Sequence, residues 1–183
     1  MSANLEHWQI AAELLRAGWT TNDKVALFQL GRMYHHGLGG EKNYAEALTL
    51  YSKAAVQGFA GAENSLGCMH TQGLGVQQNY AVALSWFHKA AAQGYAYAQF
   101  NLGCMCFEGQ GVEQNKAEAL TWFRKAADQG VAMAQYNLGR MFLDGLGVAQ
   151  NDAEARTWLS KAVDQGLDLA QKALAKMDAA KGS

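Results

Sequence analysis

Apolar and small residues recur along this chain at offsets of three and four, which is the spacing of one helix face. In the stretch 96–105, Ala98, Leu102 and Met105 fall on a single face of a predicted helix. A second stretch, 117–127, repeats the same spacing and stops at Gly130, a residue typical of a left-handed helix end. A glycine-rich loop separates the two, so the pattern predicts a helical hairpin.

This hairpin recurs with a period of 36 residues. Residues 95–130 and 131–166 are identical at 22 of 36 aligned positions. A fixed period of this length is the signature of a repeat array, so we expect a single all-α domain in which each unit packs on its neighbours. The predicted divisions are a capping helix at 1–22, repeats at 23–58, 59–94, 95–130 and 131–166, and a capping helix with a tail at 167–183.

Residues that recur at the same position of each repeat are predicted to have structural roles. Glycine inside a helix costs about 1 kcal/mol relative to alanine, so the glycine within each first helix predicts close helix approach. An asparagine before each second helix is typical of an N-cap. The recurring tryptophans are predicted to be core, and the lysines near the helix ends to favour the helix dipole. These sets are Gly31, Gly67, Gly103 and Gly139; Asn43, Asn79, Asn115 and Asn151; Trp86, Trp122 and Trp158; and Lys53, Lys89, Lys125 and Lys161.

Composition narrows the function classes. The formal net charge is -1, which supplies none of the positive field that nucleic-acid binding requires. No apolar run approaches the roughly 18 residues that span a bilayer. Three cysteines are an odd number, and no signal peptide is legible at the amino terminus, so we expect reduced thiols and a cytoplasmic protein.

The motif Ala-x-Ala-Gln-x-Asn-Leu-Gly-x-Met, followed by Gly-x-Gly-Val and Ala-x-Ala-x-x-Trp-Phe-x-Lys-Ala-Ala-x-Gln-Gly, resembles the Sel1-like repeat. The resemblance covers residues 23–166 and continues as a half unit to about 181. It implies a right-handed superhelical α-solenoid of about four and a half helix-turn-helix repeats, related to tetratricopeptide arrays. Such arrays usually serve as protein-binding scaffolds in bacteria, without catalysis. The chain departs from the family in carrying Asn where Asp is usual before the second helix, and Gly40 where Val is usual.

Positions that vary between the repeats are free to carry function. Along each first helix they form one stripe, which by resemblance to tetratricopeptide arrays lines a concave partner-binding surface. We expect Phe100, Phe107 and Tyr136 to anchor a polypeptide partner, or else to pack between neighbouring helices. Arg32 and Arg140 are either carboxylate clamps or solvated charges. The full candidate set is Phe28, Arg32, His35, His36, Asn64, Cys68, Tyr97, Phe100, Cys104, Phe107, Glu108, Met133, Tyr136, Arg140, Leu143 and Asp144.

No chemical site is predicted. His35 and His36 are about 70 residues from Cys104 and Cys106, and the two cysteines would point about 200° apart on a helix, so no metal or cofactor is expected. Cys68 and Cys104 occupy equivalent positions, which leaves a redox pair open beside the interpretation as small apolar residues. His70 is expected to be a packing residue, and no nucleophile has a base at a supporting spacing.

The predicted function is therefore a non-catalytic scaffold or adaptor that binds a polypeptide partner. Three alternatives remain at this point: a dedicated immunity or antitoxin-like neutraliser of a toxic enzyme, a β-lactamase-like hydrolase, and a self-assembling piece. The hydrolase is suggested by cysteine-rich members of the same repeat family, whose cysteine pairs this chain lacks.

Overall fold

A computed structural model describes residues 22–181, and within that range every regular element is an α-helix. Residues 1–21, which carry nearly all of the predicted N-terminal capping helix, lie outside the described residues. The helices are α1 Lys24–His36, α2 Tyr44–Val56, α3 Ala60–Gln72, α4 Tyr80–Ala92, α5 Ala96–Glu108, α6 Lys116–Asp128, α7 Ala132–Asp144, α8 Asp152–Asp164 and α9 Asp168–Lys181.

The helices pair as the repeat predicts, in the hairpins α1/α2, α3/α4, α5/α6 and α7/α8, followed by α9. They are distributed over two compact units, Met1–Gln93 and Gly94–Ser183. Inside each unit the second helix of one hairpin also packs on the first helix of the next. This nearest-neighbour packing is that of an all-α solenoid.

The predicted helix ends are confirmed. The side chain of Asn115 accepts a hydrogen bond from the Glu118 amide at 3.0 Å, and the three equivalent asparagines cap their helices in the same way. At the end of α5, Gly109 adopts a φ of 74° and its amide donates to the Met105 carbonyl. This left-handed turn requires glycine and starts the loop that returns the chain to α6.

The glycine inside each first helix lies directly against a large side chain of the second helix. A Cβ atom at Gly103 would lie 2.6 Å from Cδ1 of Phe123, and one at Gly67 would lie 2.5 Å from Cε1 of Phe87. Both phenylalanines are fully buried. The glycine therefore lets the two helices of a hairpin close over an aromatic ring, as the sequence predicts.

A ladder of polar side chains, which sequence reasoning missed, runs beside this apolar core. Gln165 donates from Nε2 to Oε1 of buried Gln135 at 2.8 Å, and Gln135 itself donates to the Ala127 carbonyl at 3.2 Å. Gln129 and Gln99 repeat the first contact at 2.8 Å. In the first unit the acceptor is Glu63, only 5% exposed, which receives Gln93 Nε2 at 2.7 Å. Burial raises the pKa of this carboxyl.

The recurring tryptophans are less uniformly buried than predicted. Trp158 belongs to the core, whereas Trp86 and Trp122 are half-buried. In each case the lysine three residues later covers the ring, with Nζ 4.0 to 4.5 Å from its centroid. Residues three apart are neighbours on a helix, so these lysines do more than complement the helix dipole: they shield the indole faces.

The last helix is held by both apolar and ionic contacts. Ala170, Ala173 and Met177 of α9 are buried in the core of the second unit. Arg156 of α8 forms an ion pair with Asp178, its Nη2 lying 2.7 Å from Oδ1. Arg156 occupies the position at which the other repeats carry leucine, and here it links α8 to α9 through an exposed ion pair.

Candidate functional site

Two adjoining pockets open on the first-helix side of the second unit, one between α5 and α7 and one between α7 and α9. Tyr136 and Arg140 of α7 line both pockets and form the ridge between them. Together the pockets form what we call the first-helix groove. Its walls contain seven residues of the predicted stripe and one unpredicted residue, Leu169, which occupies the repeat position of Met133. The seven are Cys104, Phe107, Glu108, Tyr136, Arg140, Leu143 and Asp144.

The pocket between α5 and α7 is mainly apolar and has a volume of about 230 Å³. Its floor is Phe123, the ring that lies under Gly103, with Met141 beside it. Phe107 and Leu146 complete its apolar lining, and Glu108 lies at its edge. The Phe123 ring is only 2% exposed, so the pocket is formed mainly by the side chains of α5 and α7 that surround it.

The pocket between α7 and α9 is larger, about 390 Å³, and carries more charge. Leu143 and Leu169 supply apolar walls, while Lys172 and Lys176 project from α9. Neither lysine was among the predicted site residues. The signal was present in the sequence, because Lys172 and Lys176 occupy the repeat positions of Tyr136 and Arg140, 36 residues earlier.

Arg140 is fixed by its own helix. Its Nη2 and Nε lie 2.7 and 3.0 Å from Oδ2 of Asp144, and its Nη1 donates to the Tyr136 hydroxyl at 3.2 Å. These hydrogen bonds raise the pKa of Arg140, the contact with Asp144 contributing most. The guanidinium is therefore neutralised locally and orients the Tyr136 ring.

Phe100 lines neither pocket. Its ring packs on Phe123 with centroids 5.9 Å apart, and Phe107 also contacts that ring at 6.4 Å. Phe100 is half-buried against the core of the second unit. Its geometry supports a packing role, the second of the two interpretations that the sequence allowed.

An exposed apolar row marks the N-terminal ends of α5, α7 and α9. Tyr97, Met133 and Leu169 occupy one repeat position and are 58%, 37% and 46% exposed. Each lies at an offset of three from the next stripe residue, so the row shares a helix face with the groove. Contiguous exposed apolar residues of this kind are typical of interaction surfaces.

The remaining candidates lie in the first unit. Phe28 packs on Phe59 with ring centroids 4.9 Å apart, and Arg32 lies over the Phe28 ring at 6.0 Å. His35 contacts the rings of His36 and Tyr44, and burial lowers its pKa. The Asn64 amide approaches the Cys68 sulfur at 4.0 Å.

The chemical candidates gain no support from the geometry. Burial, reinforced by Glu108, raises the pKa of Cys104 to about 12, and burial raises that of Cys106 to about 11. Thiols with such values are protonated at neutral pH and are poor nucleophiles. Half-buried His70 has a pKa lowered by burial, as expected of a packing residue. Within residues 22–181, no three histidine, cysteine or acidic side chains come together as metal ligands.

The repeat geometry can now be compared with known proteins. The model of the Sel1 repeat family matches four consecutive segments, residues 24–59, 60–95, 96–131 and 132–167. The chain belongs to the Sel1 repeat family. Each Sel1 repeat thus begins at the first residue of α1, α3, α5 or α7. Repeats of this family generally mediate protein–protein interaction.

Two solved Sel1 repeat structures are 36% identical to the chain. A protective antigen of uropathogenic Escherichia coli has a TM-score of 0.77, with 82% of this chain and 32% of the antigen covered. A Sel1 repeat protein of Oxalobacter formigenes has a TM-score of 0.75, with 85% of this chain and 45% of the other covered. The chain thus spans less than half the length of both.

An immunity protein of Pseudomonas aeruginosa is 21% identical to the chain and has a TM-score of 0.51. The match covers 85% of this chain and 72% of the immunity protein. At this level of identity the likeness shows a shared fold alone. No curated protein matches the chain. Among the described Sel1 helices, none is both long and apolar enough to cross a membrane.

Proposed function

We propose that the chain is a non-catalytic adaptor that binds a polypeptide partner in the first-helix groove of its second unit. The observation that carries this proposal is the match between sequence variation and shape. Positions whose residue changes between repeats, such as those of Phe107, Tyr136 and Arg140, supply most of the lining of the two adjoining pockets, beside the recurring Met141. Residues that recur in every repeat, such as Leu102 and Ala134, are buried in the core.

The form of the groove favours a peptide over a small molecule. Two adjoining open pockets of about 230 and 390 Å³ on neighbouring helix pairs suit successive side chains of one segment. Tyr136 supplies a large ring held by Arg140, an arrangement that limits the entropy lost on binding. The raised pKa of Cys104 argues against a covalent reaction in the apolar pocket.

Site-specific photocrosslinking tests the proposal without disturbing the core. Benzoylphenylalanine is placed at Met133, which lies on the stripe of the groove, and in a second variant at Val112, in the loop after α5. Both positions are 37% exposed, so they are matched in accessibility. The variants are irradiated in lysate of the source cells, and adducts are identified by mass spectrometry.

We expect several related proteins to be crosslinked from position 133 and none from position 112. A single stoichiometric adduct would indicate a dedicated partner, as for an immunity protein, whereas several related adducts would indicate an adaptor. Equal adducts from both positions, or none from position 133, would contradict the proposal.

A further inference from the structure

The first-helix groove changes character from one helix to the next. At one repeat position that lines the groove, α5 carries Cys104, α7 carries Arg140 and α9 carries Lys176. Beside that position α5 contributes Phe107, whereas α9 contributes Lys172. The apolar end of the groove is therefore at α5 and the cationic end at α9. A repeat array offers the same geometry in every unit, so this graded substitution gives the groove a direction.

The two ends of the groove also differ in net charge. Asp144 neutralises Arg140 at 2.7 Å, whereas Lys172 and Lys176 make no ion pair with any residue between 22 and 181. Both lysines are exposed and line the larger pocket. At the opposite end, Glu108 borders the apolar pocket. An anionic group is thus attracted to the α9 end and repelled from the α5 end.

We propose that the partner segment is apolar at one end and acidic at the other. This inference rests on the proposed function and specifies its ligand: an apolar or aromatic side chain occupies the pocket over Phe123, and Asp or Glu carboxylates meet Lys172 and Lys176. Carboxylates fit better than a phosphodiester backbone, because the positive field is confined to two lysines and is flanked by Asp144 and Glu108.

The groove also sets the spacing between these two features. The two pockets lie on either side of α7, and a helix with its side chains is about 10–12 Å across. An extended chain advances about 3.3 Å per residue, so it crosses from one pocket to the other in about three residues. The expected motif is an aromatic or aliphatic residue with Asp or Glu about three positions away.

A random dodecapeptide phage library, selected on the full chain, is the probe. The strongest peptides are synthesised, and their dissociation constants are measured by fluorescence anisotropy against wild type, Lys172→Gln/Lys176→Gln and Lys172→Glu/Lys176→Glu. The matched control is Lys24→Glu/Lys53→Glu, which makes the same change of net charge on exposed lysines of the first unit. Circular dichroism confirms that each variant is folded, and sedimentation reports its oligomeric state.

We expect selection of the apolar and acidic motif. The double lysine-to-glutamine variant should weaken binding by about fivefold or more, and the charge-reversed variant should weaken it further, with no effect from the control. Raising salt should weaken wild-type binding and leave the glutamine variant nearly unchanged.

Three results would overturn the inference. Enriched peptides that lack acidic residues, or that bind the charge-reversed variant equally well, would refute the acidic partner while leaving peptide binding intact. No enrichment at all would refute the proposed function as well. A wild-type dimer that the lysine variants dissociate would mean that a second copy of this chain, and not a partner peptide, occupies the groove.

Discussion

Replacing Gly103 by alanine tests how the hairpins close. The new Cβ would lie 2.6 Å from Cδ1 and 2.7 Å from Cε1 of Phe123, about 1 Å closer than ordinary carbon contact. The ring has little room to yield, because Phe100 and Phe107 pack beside it at 5.9 and 6.4 Å. The clash must therefore move a helix or force the ring from its rotamer.

The magnitude is a difference between two opposing effects. Overpacking a core costs about 1–3 kcal/mol, and a confined ring places this site toward the upper end of that range. Alanine is better than glycine in a helix by about 1 kcal/mol. We expect Gly103→Ala to lower the free energy of unfolding by about 1–2 kcal/mol, measured by urea denaturation followed by circular dichroism.

Two control measurements test whether the clash with Phe123 is what destabilises Gly103→Ala. At Gly40 an added Cβ meets nothing within 4 Å, so Gly40→Ala should be neutral or stabilising by up to about 1 kcal/mol. In a double-mutant cycle, Phe123→Ala should be less harmful when alanine already occupies position 103, with a coupling of about 1–2 kcal/mol. A stabilising Gly103→Ala, or additive effects in the cycle, would refute the reasoning.

Three further substitutions or treatments test other parts of the account. Glu63→Gln should stabilise the protein by about 1 kcal/mol at pH 7, because the amide matches Gln135 and removes a buried charge. Burial raises the pKa of Glu63 in the folded protein, so the stability gained by Glu63→Gln should shrink as the pH falls below that folded pKa. A stability gain that does not change with pH in urea denaturation would exclude the Glu63 carboxyl as the cause. Asn115→Ala should lower the free energy of unfolding by about 1 kcal/mol through loss of the cap, and an unchanged urea midpoint would contradict this. Burial raises the pKa of Cys104 to about 12, so its thiol should react with iodoacetamide at pH 8 far more slowly in the native protein than in the urea-unfolded protein. Peptide mass spectrometry measures the two reaction rates, and equal rates would contradict the burial of this thiol.

The sequence was sufficient to predict the hairpin, its caps and its internal glycines, because each depends on local signals that recur four times. Gly103 and Asn115 play the roles that their repeat positions indicated. The side-chain contacts between helices were harder to foresee. Whether Phe100 faces a partner or the Phe123 ring depends on how α5 is rotated on α6, and helix spacing alone does not fix that rotation.

The site was predictable only in part for the same reason. Several residues of the variable stripe line the pockets, among them Tyr136 and Leu143, and their role in binding a partner stays a prediction. Lys172 and Lys176 of α9 were not among the predicted site residues, because the stretch 167–183 was predicted to be a capping helix with a tail. The packing of α9 against α7 and α8 brings both lysines into the groove.

Mapping where a selected peptide binds tests whether the first-helix groove is the binding site. Amide shifts of the nitrogen-15-labelled chain, 19.8 kDa in mass, are followed while the strongest dodecapeptide is titrated in. We predict that the largest shifts fall on α5, α7 and α9, around Tyr136 and Lys172. Shifts concentrated on the second helices α6 and α8, or in the first unit, would contradict the assignment of the groove.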